Sequence, residues 1–193
     1  MSSAVTYGGV SGHILRRLIH LSIIITPFYY YAYLPQRYSL AQRHQFLYCW
    51  IAMVVIVELI RVRHRFIIFG QRRYEENRFS ALGWTLVSLG VVFLFSPGMA
   101  YSLPIITACA LADPLMGELR LRKFSPHKVS FIGMLVIFLI WLGAVFYFDL
   151  PFWLIGVMPP LTVLVERPTL HWIDDNALML LVPLAVILIH HHH

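Results

Sequence analysis

Long apolar runs alternate with short polar segments along the whole chain. Because a straight helix needs about 20 apolar residues to cross a bilayer, the pattern predicts an all-α polytopic membrane protein. We expect about seven transmembrane helices, at 14–33, 46–60, 81–95, 101–112, 129–148, 152–165 and 177–189. Residues 1–189 would form a single integral membrane domain, and 190–193 are interpreted as the remnant of a purification tag.

Several of these spans are shorter than a bilayer crossing requires or contain proline. The fourth is expected to be short, with Pro104 in its first turn, and the sixth to be bent or broken at Pro159 and Pro160. Short and broken helices are tolerated where the freed backbone groups face protein or a wet cavity. We therefore expect a polar cavity that dips into the membrane near the ends of the short spans.

Composition agrees with the membrane assignment and excludes a soluble domain. The 193 residues are 59% hydrophobic and 12% charged, with a mean hydropathy of +0.73, whereas a soluble domain has about 25% charged residues. The two cysteines, Cys49 and Cys109, stand far apart in apolar sequence. They form no zinc or redox motif, and we interpret them as small buried side chains.

Lysine and arginine are distributed unevenly between the two sides that seven spans would create. The N-terminal region and the segments 61–80, 113–128 and 166–176 hold 13 of the 15 basic side chains, whereas the opposite side holds only Arg37 and Arg43. Because cytoplasmic loops carry the excess of positive charge, the pattern predicts a cytoplasmic N-terminus and an external C-terminus. The polar clusters, and with them a candidate active site, would then face the cytoplasm.

The densest polar cluster follows an apolar run that ends at Asp113. Glu118 comes next, and a group of basic side chains follows within ten residues of it: Arg120, Arg122, Lys123 and Lys128. An acid at the end of an apolar segment is costly without a partner or a cation. Two acids beside a basic cluster would suit a metal ion and a phosphate chain.

Four motifs resemble those of the CTP-dependent polyprenol kinases, a family that includes dolichol, phytol and CTP-using diacylglycerol kinases. HILRRLIHL in the first span is similar to the opening motif of the family, and ALADPLMGELR to its aspartate motif. Residues 127–133 are similar to its Lys-Ser-x-Glu-Gly motif, although Phe131 and Ile132 stand where the family has a glutamate. The closing motif resembles Glu166, Asp174, Asp175, Asn176 and Pro183.

The resemblance implies transfer of the γ-phosphoryl group of CTP to the hydroxyl of a membrane lipid alcohol, either an isoprenoid alcohol or diacylglycerol. It implies catalytic roles for Asp113, Lys128 and Glu118, with Glu118 or Glu166 in place of the missing glutamate. Mg²⁺ would bind Asp113, Asp174 and Asp175. The nucleotide would contact Arg16, His20, Arg120, Arg122, Lys123, Ser130 and Gly133. The lipid would enter from the bilayer near the sixth span.

Plainer interpretations exist for each of these features. Asp113 would be an acid paired with Arg120 or Arg122, and Lys128 a membrane-surface anchor. Asp175 or Asn176 would cap the last helix, and Glu58 with Arg61 would form a structural ion pair. Two other functions also fit the motifs: a cytidylyltransferase that makes a CDP-lipid, and a non-catalytic lipid-binding or transport protein.

Overall fold

The computed structural model of the chain describes residues 6–167 and 172–191. Seven α-helices occupy most of these residues: α1 Gly9–Ser22, α2 Leu40–His64, α3 Ala81–Phe95, α4 Met99–Leu121, α5 Pro126–Phe148, α6 Trp153–Glu166 and α7 Asp175–His191. Within the described ranges there is no β-strand, only an isolated bridge between Thr6 and Arg72. The expected all-α class is therefore confirmed.

Three of the helices are long and apolar enough to cross a membrane, namely α2, α4 and α5. Three shorter helices, α3, α6 and α7, are also apolar. The chain is accordingly a helical membrane protein. The first predicted span corresponds to α1 followed by short helical turns of changing type: Ile23–Ile25, Thr26–Phe28, Tyr29–Tyr33 and Leu34–Gln36. Pro27 and Pro35 lie in these turns, where proline removes the backbone donor that a regular α-helix would need.

The fourth predicted span differs most from the structure. Helix α4 has 23 residues, and it continues through Pro104 and Pro114 to Leu121, so the expectation of a short span with Pro104 in its first turn was wrong. Helix α6 likewise continues through Pro159 and Pro160 without interruption. Packing against neighbouring helices overrides the low helix propensity of proline. Only four residues, 122–125, separate α4 from α5.

Helix α4 lies at the centre of the bundle, between α1, α5 and α7. Its core positions carry small or slender side chains, including Ala108, Cys109 and Ala112, all at most 1% exposed. A Cβ atom on Gly133 of α5 would lie 2.4 Å from the sulfur of Met116, so α4 and α5 approach closely there. Small residues of this kind allow close helix packing in membranes.

Helix α2 packs mainly on α3 and lies at the edge of the bundle. Most of its apolar side chains are exposed, as expected of a helix that faces lipid. Cys49 is one of these exposed residues, so the expectation that both cysteines are buried holds only for Cys109.

Charged side chains collect at one end of the bundle, which we call the charged end. It contains the N-terminal half of α1, the segment 65–80 and the C-terminal halves of α4 and α6. It also contains the first residues of α5 and α7. Ion pairs and hydrogen bonds join these parts, for example Arg16 to Glu75, Arg17 to Glu118 and Arg167 to Ser130. At the opposite end aromatic contacts dominate, such as Trp153 with His190.

Candidate functional site

Three carboxylates from three helices meet at the charged end. Asp113 lies in α4, Glu166 is the last residue of α6, and Asp175 is the first residue of α7. One carboxylate oxygen of each lies within 4.8 Å of the other two. Glu166 is only 4% exposed. We call Asp113, Glu166 and Asp175 the carboxylate triad.

Asp174 lies beside the triad but has a different role in the structure. Its Oδ1 accepts a hydrogen bond of 3.1 Å from the backbone N–H of Asn176, in the first turn of α7. Oδ1 of Asp175 accepts from the same N–H at 3.0 Å. Both aspartates therefore cap the start of α7, where the sequence suggested Asp175 or Asn176. Burial, and after it the charge of Asp175, raise the pKa of Asp174 well above its usual range.

Arginines surround the triad and its neighbour Glu118. Arg120 forms an ion pair with Glu166. Glu118 lies outside the triad, and it pairs with Arg17 of α1 at 2.7 Å and with Arg122 at 3.1 Å. Because α4 continues to Leu121, Glu118 and Arg120 are held on a helix rather than in a loop, and Arg122 follows directly as the C-cap residue. The arginines therefore neutralise part of the negative charge of the site.

His20 connects α1 to the triad. Its Nε2 lies 3.6 Å from Oδ2 of Asp113 and 3.9 Å from the sulfur of Cys109. The imidazole is buried, with 7% of the residue exposed. Cys109 also lies 3.8 Å from the carbonyl oxygen of Asn176, to which its thiol donates. His20 therefore fixes the position of α1 relative to both α4 and α7 at the height of Asp113.

The other residues expected to contact the nucleotide have varied surroundings. Lys123, in the short α4–α5 connection, and Lys128, in the first turn of α5, are both exposed. Ser130 accepts a 2.9 Å hydrogen bond from Arg167. Gly133 is buried against Met116, which gives this glycine a packing role. Of this group, the two lysines offer charge to a ligand, and in the part of the chain that the structure describes neither is in an ion pair.

A second cluster of buried charges stabilises the charged end. Arg61 pairs with Glu58 at 2.9 Å, as the sequence predicted. Glu58 also accepts hydrogen bonds from the hydroxyl and the backbone N–H of Ser80, at 2.7 and 2.9 Å. Ser80 in turn caps α3 by accepting from the N–H of Gly83. This cluster attaches the end of α2 to the start of α3, which is a structural role.

A cavity that is partly open to the outside lies next to the carboxylate triad, and its empty space, with the open part included, is about 570 Å³. Its wall is built from α1, from the segment 68–80 and from the first turns of α3, and it includes His20 and Asn176. The ion pair between Arg16 and Glu75, at 3.1 Å, forms another part of the wall. His20 therefore lines the cavity and also lies beside Asp113 of the triad.

Sequence reasoning brought Asp113 and Asp175 together correctly as neighbours and named His20 and Arg16 near them. It missed Glu75, which is 3% exposed and pairs with Arg16. It named Glu166 in the closing motif and as a substitute for a missing glutamate but not as a metal ligand, whereas the structure places it, rather than Asp174, within the triad. Neither Glu75 nor Glu166 carries a periodic signal, since both stand in polar segments between predicted spans.

Comparison with known proteins finds no relative of this chain. No protein-family model matches the chain, and no curated protein or solved structure matches it significantly.

Proposed function

We propose that this protein is a CTP-dependent kinase of membrane lipid alcohols. The observation that carries the proposal is the carboxylate triad, since three acids from three helices converge at the end of a membrane bundle beside several arginines. Ionisable side chains at such a depth are usually functional because their burial is costly. The choice of CTP and of a lipid alcohol as substrates comes from the motif resemblance, and the triad is consistent with both.

The donor set of the triad fits a magnesium ion. All three ligands are carboxylate oxygens, which are the hard donors that Mg²⁺ prefers, and three anions so close together favour a cation between them. Asp113, Glu166 and Asp175 would hold the ion, which would neutralise charge on the phosphates of CTP.

The chain's own groups provide the remaining parts of the reaction. Lys123 and Lys128 are the exposed cations that would contact the phosphates, and Arg120 would reach them from its pair with Glu166. The lipid oxygen would attack the γ-phosphorus as the bond to the β-phosphate oxygen breaks, and the hydroxyl proton would pass to a carboxylate of the triad. Phosphoryl transfer depends mainly on such positioning and charge stabilisation.

The proposal includes the membrane topology. Seven spans would place the charged end in the cytoplasm, where CTP is available, because 13 of the 15 lysines and arginines lie on that side. A reporter enzyme that works only outside the cytoplasm should therefore be active when it is fused after Ile189. Reporter activity restricted to the cytoplasm would contradict this topology.

The test of the activity uses purified protein, Mg²⁺, CTP labelled on the γ-phosphate and a panel of prenols and diacylglycerol. A kinase transfers the label to the lipid and releases CDP. A cytidylyltransferase would instead release labelled pyrophosphate and form a CDP-lipid.

Asp113→Asn should lower the rate per folded molecule at least about a hundredfold, whether Asp113 holds the ion or accepts the proton. Unchanged turnover in this variant, or no product with any lipid in the wild type, would contradict the proposal.

A further inference from the structure

The cavity beside the carboxylate triad combines apolar walls with a polar inner surface. Ile19 and Ile23 come from the first helical segment, and Ala81 and Leu82 from the start of α3. Six buried polar residues also line the cavity, each at most 7% exposed: His20, Gln71, Glu75, Ser80, Thr85 and Asn176. A lining that combines apolar walls with a few buried polar groups suits a small amphipathic ligand.

Two of the buried polar groups lack a hydrogen-bond partner within the described part of the chain. Nε2 of Gln71 has a donor to offer, and Oδ1 of Asn176 is an open acceptor. The other amide atom of Gln71, Oε1, accepts a 2.9 Å hydrogen bond from the N–H of Ile68, which fixes the orientation of the amide. Leaving such groups unpaired in a buried site costs free energy, and a hydroxyl group would satisfy both because it donates and accepts.

The charges of the cavity argue for a neutral ligand rather than a phosphate. The only guanidinium among the described residues that line it belongs to Arg16, and that group is paired with Glu75. Glu75 is itself buried in the wall. A nucleotide bound inside the cavity would meet a neutralised arginine and a buried carboxylate, so its phosphates would stay at the triad, whereas the neutral hydroxyl of a lipid alcohol would meet no opposing charge in the cavity.

The rim of the cavity is apolar and exposed. Ile68 and Phe69 line it, and they continue a run of four exposed apolar residues from Phe66 to Phe69 at the end of α2. Backbone hydrogen bonds from Gly70 and Tyr7, at 3.0 and 2.9 Å, attach this run to the N-terminal segment. Consecutive exposed apolar side chains at the end of a spanning helix are suited to the interface of the bilayer. A lipid would therefore reach the cavity across Ile68 and Phe69.

We infer that this cavity holds the hydroxyl end of the lipid alcohol, with the hydroxyl between Gln71 and Asn176 and the hydrocarbon chain leaving over Phe66–Phe69. The inference rests on the proposed function, since it assigns the acceptor site of that reaction. His20 lines the cavity and its ring lies 3.6 Å from Oδ2 of Asp113, so the hydroxyl proton would pass to the triad through this imidazole. This places the lipid between α1 and α3, whereas the sequence suggested an entry beside α6.

The experiment uses the full chain in nanodiscs and a long-chain isoprenoid alcohol that carries a photoactivatable diazirine. Label should appear in peptides that contain residues 16–23 and 66–85. The methyl ether of the same probe donates no hydrogen bond, so its labelling should be weaker by about tenfold, as expected when a buried acceptor stays unpaired. Label confined to α6, or equal labelling by the ether, would overturn the inference.

A pair of variants on one helix provides the control. Ile19→Trp puts a larger side chain into the cavity and should lower labelling at least about tenfold. Leu18→Trp makes a similar change on an exposed surface of α1, where Leu18 is 58% exposed, and labelling should stay at the wild-type level. Wild-type labelling of the Ile19→Trp variant would overturn the inference.

Measurements with CTP distinguish a failure of the proposed lipid site from a failure of the proposed kinase activity. The melting-temperature rise caused by CTP with Mg²⁺ should be the same in Ile19→Trp as in the wild type, which also shows that the variant is folded. If the alcohol labels the cavity but CTP with Mg²⁺ neither shifts the melting temperature nor phosphorylates the alcohol, the lipid site stands and the kinase is refuted. If CTP is used but the label lies elsewhere, the kinase stands and this acceptor site is refuted.

Discussion

Replacing Asp113 by asparagine should stabilise the metal-free protein and remove its response to Mg²⁺. Two carboxylates with oxygens at most 4.8 Å apart repel each other by at least about 3 kcal/mol at an effective dielectric constant of about 20. Asp113 faces two such neighbours, Glu166 and Asp175, but Arg120 offsets part of the charge on Glu166. Uptake of a proton by one of the carboxylates would relieve a further part of the repulsion. We therefore expect a net gain of about 1–3 kcal/mol in the free energy of unfolding when the charge of Asp113 is removed.

The assay is thermal unfolding in detergent, followed by tryptophan fluorescence with EDTA and then with increasing Mg²⁺. In EDTA the variant should melt several degrees above the wild type, since about 1 kcal/mol moves Tm by about 2–4 °C in a chain of this size. Mg²⁺ at about a hundred times its Kd would stabilise the wild type by about 2.7 kcal/mol. The variant lacks one of the three carboxylates, so its Tm should change little while the Tm of the wild type rises, and the difference between the two proteins should close or reverse.

Asp149→Asn is the matched control. Asp149 is exposed after α5 in the left-handed conformation, with φ of 54°, a conformation that asparagine also tolerates. This variant should keep the wild-type Tm in EDTA and the wild-type response to Mg²⁺. A lower Tm of Asp113→Asn in EDTA would refute the repulsion argument, because it would show that Asp113 stabilises the fold through its contact with His20. An unchanged Mg²⁺ response would refute the assignment of the triad as the metal site.

Two further predictions concern the packing that holds the site. Gly133→Ala should destabilise the protein by about 1–3 kcal/mol because the new methyl group would overlap Met116. In the control variant Gly143→Ala the new methyl group would meet no atom within 4 Å, so this change should be neutral or stabilising by up to about 1 kcal/mol. Thermal melts of the two variants test the difference. Glu58→Gln should cost about 3–5 kcal/mol because it leaves Arg61 as a buried charge without its partner; an unchanged melting temperature would show that the backbone carbonyls around Arg61 suffice.

The sequence by itself determined the class of the fold and the positions of most helices. Apolar runs identify membrane helices because the bilayer interior requires every backbone hydrogen bond to be made within the segment. The limits of α3 were predicted correctly as 81–95. The Glu58–Arg61 pair was also predictable, since residues three apart share one face of a helix.

Only the tertiary structure decided how the site is assembled. Sequence rules end a helix near a charged residue followed by proline, yet α4 continues through Asp113 and Pro114 because its neighbours bury it. That continuation places Asp113 within reach of Glu166 and Asp175, which are separated from it by more than fifty residues. No local pattern determines which acids meet, since the meeting depends on the packing of α4, α6 and α7. The cavity beside His20 has the same origin, because its walls come from segments that only the packed bundle brings together.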